Sequence, residues 1–316
     1  MPLVNYIPET FSIPFMRGRH WSFPLSAALT LLSVFGFLVF GLDVGIDFKG
    51  GTLIEVQAAG AVADIGRVRE IVTGLGIGDV QIQEFGTPRE LLIRIGAAGG
   101  ESGTATADAV RAALGSDFTI RRVEVVGPSV SNELVQQSVL AILLGTLLIL
   151  AYVWFRFEWQ FAVGAMVTTL HDIVLVIGLY AWLGIDFDLT SIAAILTILG
   201  YSLNDTVVIY DRIRDMLRKY KRLSIGEILD NSINATISRT IIVAATTFFA
   251  TTALYLFGGE VLRGFSLAML FGVVVGTYST ILIAAPILIY LGVRATADAP
   301  EREAKASPAK PARAAA

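Results

Sequence analysis

The sequence predicts a polytopic α-helical membrane protein with six transmembrane helices and one small α+β domain between the first two. Its 316 residues are 54% hydrophobic and only 16% charged, with a mean hydropathy of +0.69. A soluble domain carries about 25% charged residues. The apolar residues gather in blocks of the ~20 residues that a bilayer requires. Residues 43–132, between the first two blocks, have the patterns of strands and short helices instead.

Six apolar blocks are long enough to span a membrane. They are 23–42, 134–155, 161–183, 189–210, 235–257 and 265–291. The first block follows Arg17, Arg19 and His20, as a signal peptide would, but no cleavage site of small residues comes after it. The first block is therefore expected to be an uncleaved membrane anchor.

The basic residues predict the orientation of the spans. With the N-terminus inside, the cytoplasmic segments carry Arg17, Arg19, Arg156, Arg212, Arg214, Arg218, Lys219, Lys221 and Arg222. The short loops on the other side, 184–188 and 258–264, contain one basic residue, Arg263. The positive-inside rule then places both termini in the cytoplasm. Residues 1–22 are expected to form a cytoplasmic N-terminus, and residues 294–316, rich in Ala and Pro, are expected to form a disordered cytoplasmic tail.

The domain at 43–132 is expected on the side of the membrane opposite to the termini. Alternating or turn-bounded apolar runs predict strands, and helical spacing before glycine predicts helices. The strands are expected at 51–57, 79–85, 90–95 and 118–126, and the helices at 63–76 and 106–114. The order β-α-β-β-α-β is that of a ferredoxin-like split β-α-β unit. Such a fold does not define a function by itself.

The five later spans form a membrane domain at 133–293, interrupted by a basic cytoplasmic loop at 211–234. Apolar residues in the second half of this loop fall near one helical face. An amphipathic helix in the membrane interface and a solvated loop are both compatible with the pattern.

Asn204 and Asp205 lie inside the fourth apolar block, and Asn204 is a candidate for holding water near Asp205 on a proton pathway. At 1.5 Å per residue, Asp205 is about 8 Å below the cytoplasmic interface. Arg239 lies at a similar depth in the fifth, antiparallel span, so an Asp205–Arg239 pair is expected if the helices are neighbours. Burial and a nearby guanidinium act on a carboxyl in opposite directions, so a helix movement would change how tightly Asp205 holds a proton. The alternative is a static ion pair that holds two helices together.

His171 and Asp172 are adjacent near the middle of the third span. Histidine titrates near physiological pH, so a proton relay is one interpretation, and a hydrogen bond that fixes helix packing is the other. The chain has only two histidines and no cysteine. No metal site, disulfide or cofactor is therefore expected.

The run GIDFKGG connects the first span to the exported domain and contains Asp47, Lys49, Gly50 and Gly51. The glycines allow positive φ before the first strand, and the simplest interpretation is a turn with an Asp47–Lys49 surface ion pair. The chain has no GxxxxGK[ST] phosphate loop. We therefore expect no ATPase and no enzyme, with energy supplied by an ion gradient or by a separate subunit.

Five runs occur in order along the chain. VGIDFKGGT follows the first span, LHD lies in the third, GYSLNDTVVIYDRIR in the fourth, SINATISRT at the start of the fifth, and GTYSTILIAAP in the sixth. Together they resemble the SecF subunits of the bacterial protein-export machinery. The resemblance covers about residues 17–293. By the same matches, Asp205 and Arg239 correspond to residues that are implicated in proton movement in that family.

The resemblance implies a multi-pass protein of the bacterial inner membrane, similar to the resistance–nodulation–division superfamily, with the domain at 43–132 in the periplasm. It implies SecD as the partner half, association with the SecYEG channel and often with YidC, and use of the proton-motive force to promote polypeptide export. The implied ligands are protons and the exported polypeptide, with no nucleic acid.

Two other functions remain open at this point. A small-molecule proton antiporter of the same superfamily would need a much larger exported domain than residues 43–132 provide. A non-transducing structural subunit would use its buried charges only to stabilise assembly.

Overall fold

The computed structural model describes residues 12–60, 62–96 and 103–293, and the expected tail at 294–316 lies outside them. The helices are α1 (Arg19–Phe40), α2 (Ile46–Lys49), α3 (Ile65–Gly74), α4 (Gly103–Leu114), α5 (Pro128–Arg156), α6 (Trp159–Leu183), α7 (Leu189–Lys219), α8 (Ile225–Phe257), α9 (Arg263–Ser279) and α10 (Ala285–Tyr290). The strands are β1 (Gly51–Ala58), β2 (Val80–Phe85), β3 (Thr87–Gly96) and β4 (Phe118–Val126).

Six helical segments within the described ranges are long and apolar enough to cross a membrane, which confirms the predicted fold class. The sixth consists of α9, a π-helical turn at Thr280–Ala284, and α10. Of the most apolar window in each span, 56% is buried in α6, 56% in α7 and 61% in the sixth span. The value is 11% for the other three spans. The third, fourth and sixth spans therefore form the centre of the bundle.

Glycines bring α9 close to α7. A Cβ added at Gly272 would collide with Ile198, and one added at Gly276 would lie 3.0 Å from the Cβ of Ser202. Small residues permit this kind of approach between membrane helices.

The segment 211–234 is not the loop that its charges suggested. Helix α7 continues to Lys219 and α8 begins at Ile225, where Ser224 and Glu227 form a reciprocal capping box. The apolar residues of this segment recur at helical spacing and are buried in the main membrane-domain core; they are Ile213, Leu217, Ile228, Leu229 and Ile233. Burial of that face extends both helices, and only residues 220–224 separate them.

The start of α8 also holds the segment that precedes α1. The Asn234 amide accepts from the Ile13 amide and donates to the Ile13 carbonyl oxygen, at 2.9 Å in each case. Asp230 accepts from the Met16 amide at 2.8 Å. Side chains of α8 therefore satisfy backbone groups that no helix satisfies.

The domain between α1 and α5 contains a four-stranded antiparallel sheet in the order β2-β3-β1-β4. β1 and β2 run in the same direction with β3 between them, and α3 and α4 pack on one face. Along β3, Ile93 and Ile95 face that core. Leu92 and Arg94 point to the opposite face, as strand alternation requires, and are buried as well.

The GIDFKGG run folds into the single helical turn α2, followed by Gly50 and Gly51 at φ +72° and +141°. A Cβ on Gly51 would collide with the Ile95 carbonyl oxygen. The Asp47–Lys49 ion pair is absent from this described segment, because helical geometry separates residues two apart. Asp47 instead accepts a hydrogen bond from the Leu189 amide, at 3.1 Å, at the start of α7.

Candidate functional site

Asp205 is enclosed within the bundle and is only 1% exposed. Neither of its carboxylate oxygens has a hydrogen-bond partner among the described residues. A buried charge without a partner is costly. This carboxyl group is therefore suited to existing as a neutral acid, or to gaining a partner when the helices move.

Arg239 and Asn204 do not complete a bonded cluster with Asp205. Arg239 is exposed on α8, and within the described chain it makes no ion pair with Asp205. The helices that carry the two residues, α7 and α8, nevertheless contact each other. Asn204 is exposed, on a different side of α7 from Asp205.

Asp172 has the opposite environment, being fully buried and well bonded. Its Oδ2 accepts hydrogen bonds from Ser202 Oγ at 2.7 Å and from Ser279 Oγ at 2.9 Å. Its Oδ1 lies 3.0 Å from His171 Nδ1. One carboxylate on α6 thus connects α7 and α9.

Two threonine hydroxyl groups lie beside Ser202, one of the serines that bond Asp172. Thr206 Oγ1 and Thr280 Oγ1 are 2.9 Å apart, and they donate to the Ser202 carbonyl oxygen at 3.0 and 3.3 Å. Sequence reasoning missed Ser279 and Thr280. The available signal was the hydroxyl-rich run GTYST within an apolar span.

The π-helical turn begins directly after Ser279, and such turns often occur at functional sites. Pro286 has no amide hydrogen, so it cannot bond the Leu282 carbonyl four residues earlier. Ser22 Oγ, from α1, donates to that carbonyl at 2.8 Å. Tyr210 donates to the Ala284 carbonyl oxygen at 3.1 Å. Side chains of α1 and α7 therefore stabilise the irregular backbone.

A second polar contact joins the sheet domain to the membrane helices. Arg94 of β3 forms ion pairs with Asp186, between α6 and α7, and with Asp43, which precedes α2. Its side chain is 9% exposed. Burial lowers the pKa of the Arg94 guanidinium, and the charges of Asp43 and Asp188 oppose that change. Arginine still remains protonated at physiological pH.

The same contact contains two copies of one tetrapeptide. GIDF occurs at 45–48 and again at 184–187. The Gly45 amide donates to the Phe187 carbonyl oxygen at 3.0 Å, and the Phe187 amide donates to the Asp43 carbonyl oxygen at 2.7 Å. The connection from α1 to the sheet therefore pairs with the connection from α6 to α7.

These features define a multi-pass membrane protein with two buried carboxyl groups among its central helices and a small domain docked on those helices. Residues 106–294 match the family described as protein export membrane protein SecD/SecF, C-terminal, and residues 35–62 match the SecD/SecF GG motif. The chain belongs to the SecD/SecF family.

Relatives of two lengths share this similarity. The protein translocase subunit SecF of Rickettsia felis is 43% identical over 289 residues, which cover 90% of this chain and 94% of the relative. The protein translocase subunit SecDF of Brucella abortus is 42% identical over 293 residues, which cover 92% of this chain and 39% of the relative. The chain thus matches nearly the whole length of a SecF, but only part of the length of a SecDF.

Two solved structures have a similar fold. The crystal structure of SecDF from Thermus thermophilus, described as a translocon-associated membrane protein, matches with a TM-score of 0.82 at 32% identity. That match covers 90% of this chain and 39% of the SecDF chain. The super-membrane-facing form of SecDF matches with a TM-score of 0.67 at 32% identity, over 92% of this chain and 40% of the other.

Proposed function

We propose that this chain is an accessory subunit of the Sec protein translocase that works with SecD. In this proposal, the two subunits use the proton-motive force to promote polypeptide export through the SecYEG channel of the bacterial inner membrane. Asp205 takes up and releases the proton. The observation that supports the proposal most directly is the buried Asp205 carboxyl group without a hydrogen-bond partner.

The charge balance around Asp205 supports a transducing role. Arginine does not give up its proton at physiological pH, so Arg239 is a fixed positive charge that can tune Asp205. A charge that crosses the membrane potential gains about 2.3 kcal/mol per 100 mV. Proton transfer to Asp205 therefore supplies energy if uptake and release occur from opposite sides.

SecD is the proposed partner because relatives named SecDF are longer chains that contain a region similar to this one. The exposed positions of Asn204 and Arg239 are consistent with that arrangement. A polar or charged group is costly against lipid, and only 11% of the apolar window of α8 is buried in this chain. We propose that SecD covers this face, that YidC associates with the assembly, and that the chain has no cofactor or catalytic activity of its own.

Proton flux in vesicles tests this function. The chain is reconstituted with its SecD partner, a pH gradient is imposed, and internal pH is recorded with a fluorescent dye. Asp205→Asn should abolish the flux while the complex still assembles. The matched control is Asp211→Asn, which removes a carboxylate that is 42% exposed and paired with Arg156 on the surface; its flux should match that of the original protein.

Proton flux in vesicles, export assays and the growth of cells that lack the chain together distinguish the alternatives. If the Asp205→Asn variant and the original protein gave equal proton flux, the proposal would lose its basis. If Asp205→Asn lost export support only in proportion to lost assembly, the subunit would be structural. If loss of the chain altered resistance to toxic compounds before it slowed secretion, the chain would be an antiporter.

A further inference from the structure

We propose that Asp172 is a positioning residue for Asp205. Through Ser202 and Ser279, its carboxylate holds α7 and α9 in the arrangement that keeps Asp205 buried. This inference rests on the proposed function, because it concerns the environment of the same proton-carrying group. It also decides between the two roles that the sequence left open for the His171–Asp172 pair.

The hydrogen bonds of Asp172 indicate a fixed acceptor. Its two oxygens have three polar neighbours, which lie on three different helices: His171, Ser202 and Ser279. A buried carboxylate with such donors is satisfied as it stands. Asp205, which lacks all such partners, is the carboxyl group whose bonding has to change.

Helix geometry transmits the effect along α7. Ser202 and Asp205 are three residues apart in one helix, so they are neighbours on its surface. A hydrogen bond that fixes Ser202 against Asp172 therefore also fixes the direction in which Asp205 points. Rotation of α7 that moved Asp205 toward Arg239 would break the Ser202–Asp172 bond.

The other serine holds the sixth span where its geometry changes. Ser279 is the last residue of α9, and the π-helical turn begins at Thr280. Thr280 bonds the Ser202 carbonyl oxygen at 3.3 Å, and Gly276 allows the close approach to Ser202. Asp172 thus fixes both helices at the same level.

His171 completes the arrangement by orienting the carboxylate. Its Nδ1 lies 3.0 Å from Asp172 Oδ1, which leaves Oδ2 to accept from both serines. The side chain is 8% exposed, and its Nε2 is buried without a hydrogen-bond partner in the described residues. Asp172 is therefore the one hydrogen-bond partner of the His171 ring among the described residues.

The test uses the chemical reactivity of Asp205. Dicyclohexylcarbodiimide reacts with protonated carboxyl groups in apolar surroundings, and mass spectrometry of the labelled peptides gives separate rates for Asp205 and Asp172. The full chain is labelled in vesicles with its SecD partner, and proton flux and melting temperature are recorded in parallel. The variants are Ser202→Ala, Ser279→Ala and Ser279→Thr, with Asp205→Asn as the functional reference.

Loss of either serine hydroxyl should change the Asp205 labelling rate by about fivefold, the factor that one ordinary hydrogen bond contributes. Proton flux should fall in parallel, and Ser279→Thr, which keeps a hydroxyl, should restore both values. The matched control is Ser266→Ala on α9, where the buried hydroxyl bonds the Leu262 carbonyl oxygen of its own helix; it should change neither. If one alanine variant fails to assemble, the other and the Ser279→Thr variant still decide the question.

Two results would overturn the inference. One is an unchanged Asp205 labelling rate and flux in both alanine variants. The other is labelling of Asp172 at a rate equal to that of Asp205, which would make Asp172 a proton carrier itself. The proposed function fails separately, through normal flux in Asp205→Asn.

Discussion

Arg94, on the outer face of the sheet, forms an ion pair with Asp186, in the connection between α6 and α7. The pair joins the domain outside the membrane to the two helices that carry Asp172 and Asp205. Movement of α6 against α7 is therefore expected to reach the sheet through this contact.

Arg94→Ala should loosen the docking of the domain. Removing one partner of a buried ion pair costs about 3–5 kcal/mol, and the cost is smaller here because the Asp186 and Asp43 side chains are 28% and 34% exposed. Amide exchange at Gly45 and Phe187, whose backbones pair across the contact, should become about tenfold faster for every 1.4 kcal/mol lost. Hydrogen–deuterium exchange mass spectrometry measures both sites.

Arg67→Ala is the control for that change. Arg67 pairs with Asp117 on the surface, with side chains that are 62% and 58% exposed, and exposed pairs contribute about 0–1 kcal/mol. Exchange at Gly45 and Phe187 should stay at the original rate. Equal exchange in the two variants would show that Arg94 does not hold the domain.

Gly276→Ala should destabilise the helix bundle. The new Cβ would lie 3.0 Å from the Ser202 Cβ, so α9 must move away from α7, and overpacking costs about 1–3 kcal/mol. The control is Gly200→Ala on α7, where nothing lies within 4 Å of the new Cβ and alanine favours the helix by about 1 kcal/mol. Melting temperatures in detergent should fall for the first and hold or rise for the second; the reverse order would contradict the close contact.

Ser22→Ala should leave the Leu282 carbonyl oxygen without its donor, at a cost of about 1–3 kcal/mol. Adding Pro286→Ala restores a backbone amide near that oxygen, so the double variant should be more stable than Ser22→Ala alone. Thermal melts of the original protein, the two single variants and the double variant give the coupling energy. Purely additive effects would mean that Ser22 does not compensate for Pro286.

Ser224→Ala should weaken the start of α8. Ser224 accepts from the Glu227 amide at 3.3 Å and Glu227 bonds back to the Ser224 amide at 2.7 Å; loss of such a cap costs about 0.5–2 kcal/mol. The control is Ser238→Ala, at an exposed position inside the same helix. Only the first change should increase amide exchange at 225–228, and equal exchange would argue against the cap.

Hydropathy predicted the six spans because their length is set by the bilayer and does not depend on their neighbours. The order of strands and helices in the domain also followed from local periodicity. The structure of segment 211–234 was harder to predict, because its outward side carries the charges while Ile213 and Leu217 on its other side are buried. A charged loop and a helix with charges on one side can have the same composition, so composition alone does not distinguish them.

The candidate site shows a second limit of the sequence. Counting residues gave Asp205 and Arg239 a similar depth, but depth does not determine the direction in which a side chain points. Arg239 is exposed on α8, so the two are not in contact in this chain. Ser279 and Thr280 were missed because hydroxyl groups in an apolar helix usually bond their own backbone, and only the fold reveals Asp172 beside Ser279.

The bonds from Asp230 and Asn234 to Met16 and Ile13 connect α8 to the segment that precedes α1. Helix α8 also carries Arg239. Because these bonds connect α8 to the start of α1, a tilt of either helix is expected to move the other. A domain fused ahead of this segment is therefore expected to restrict the tilt of α8 as well as that of α1.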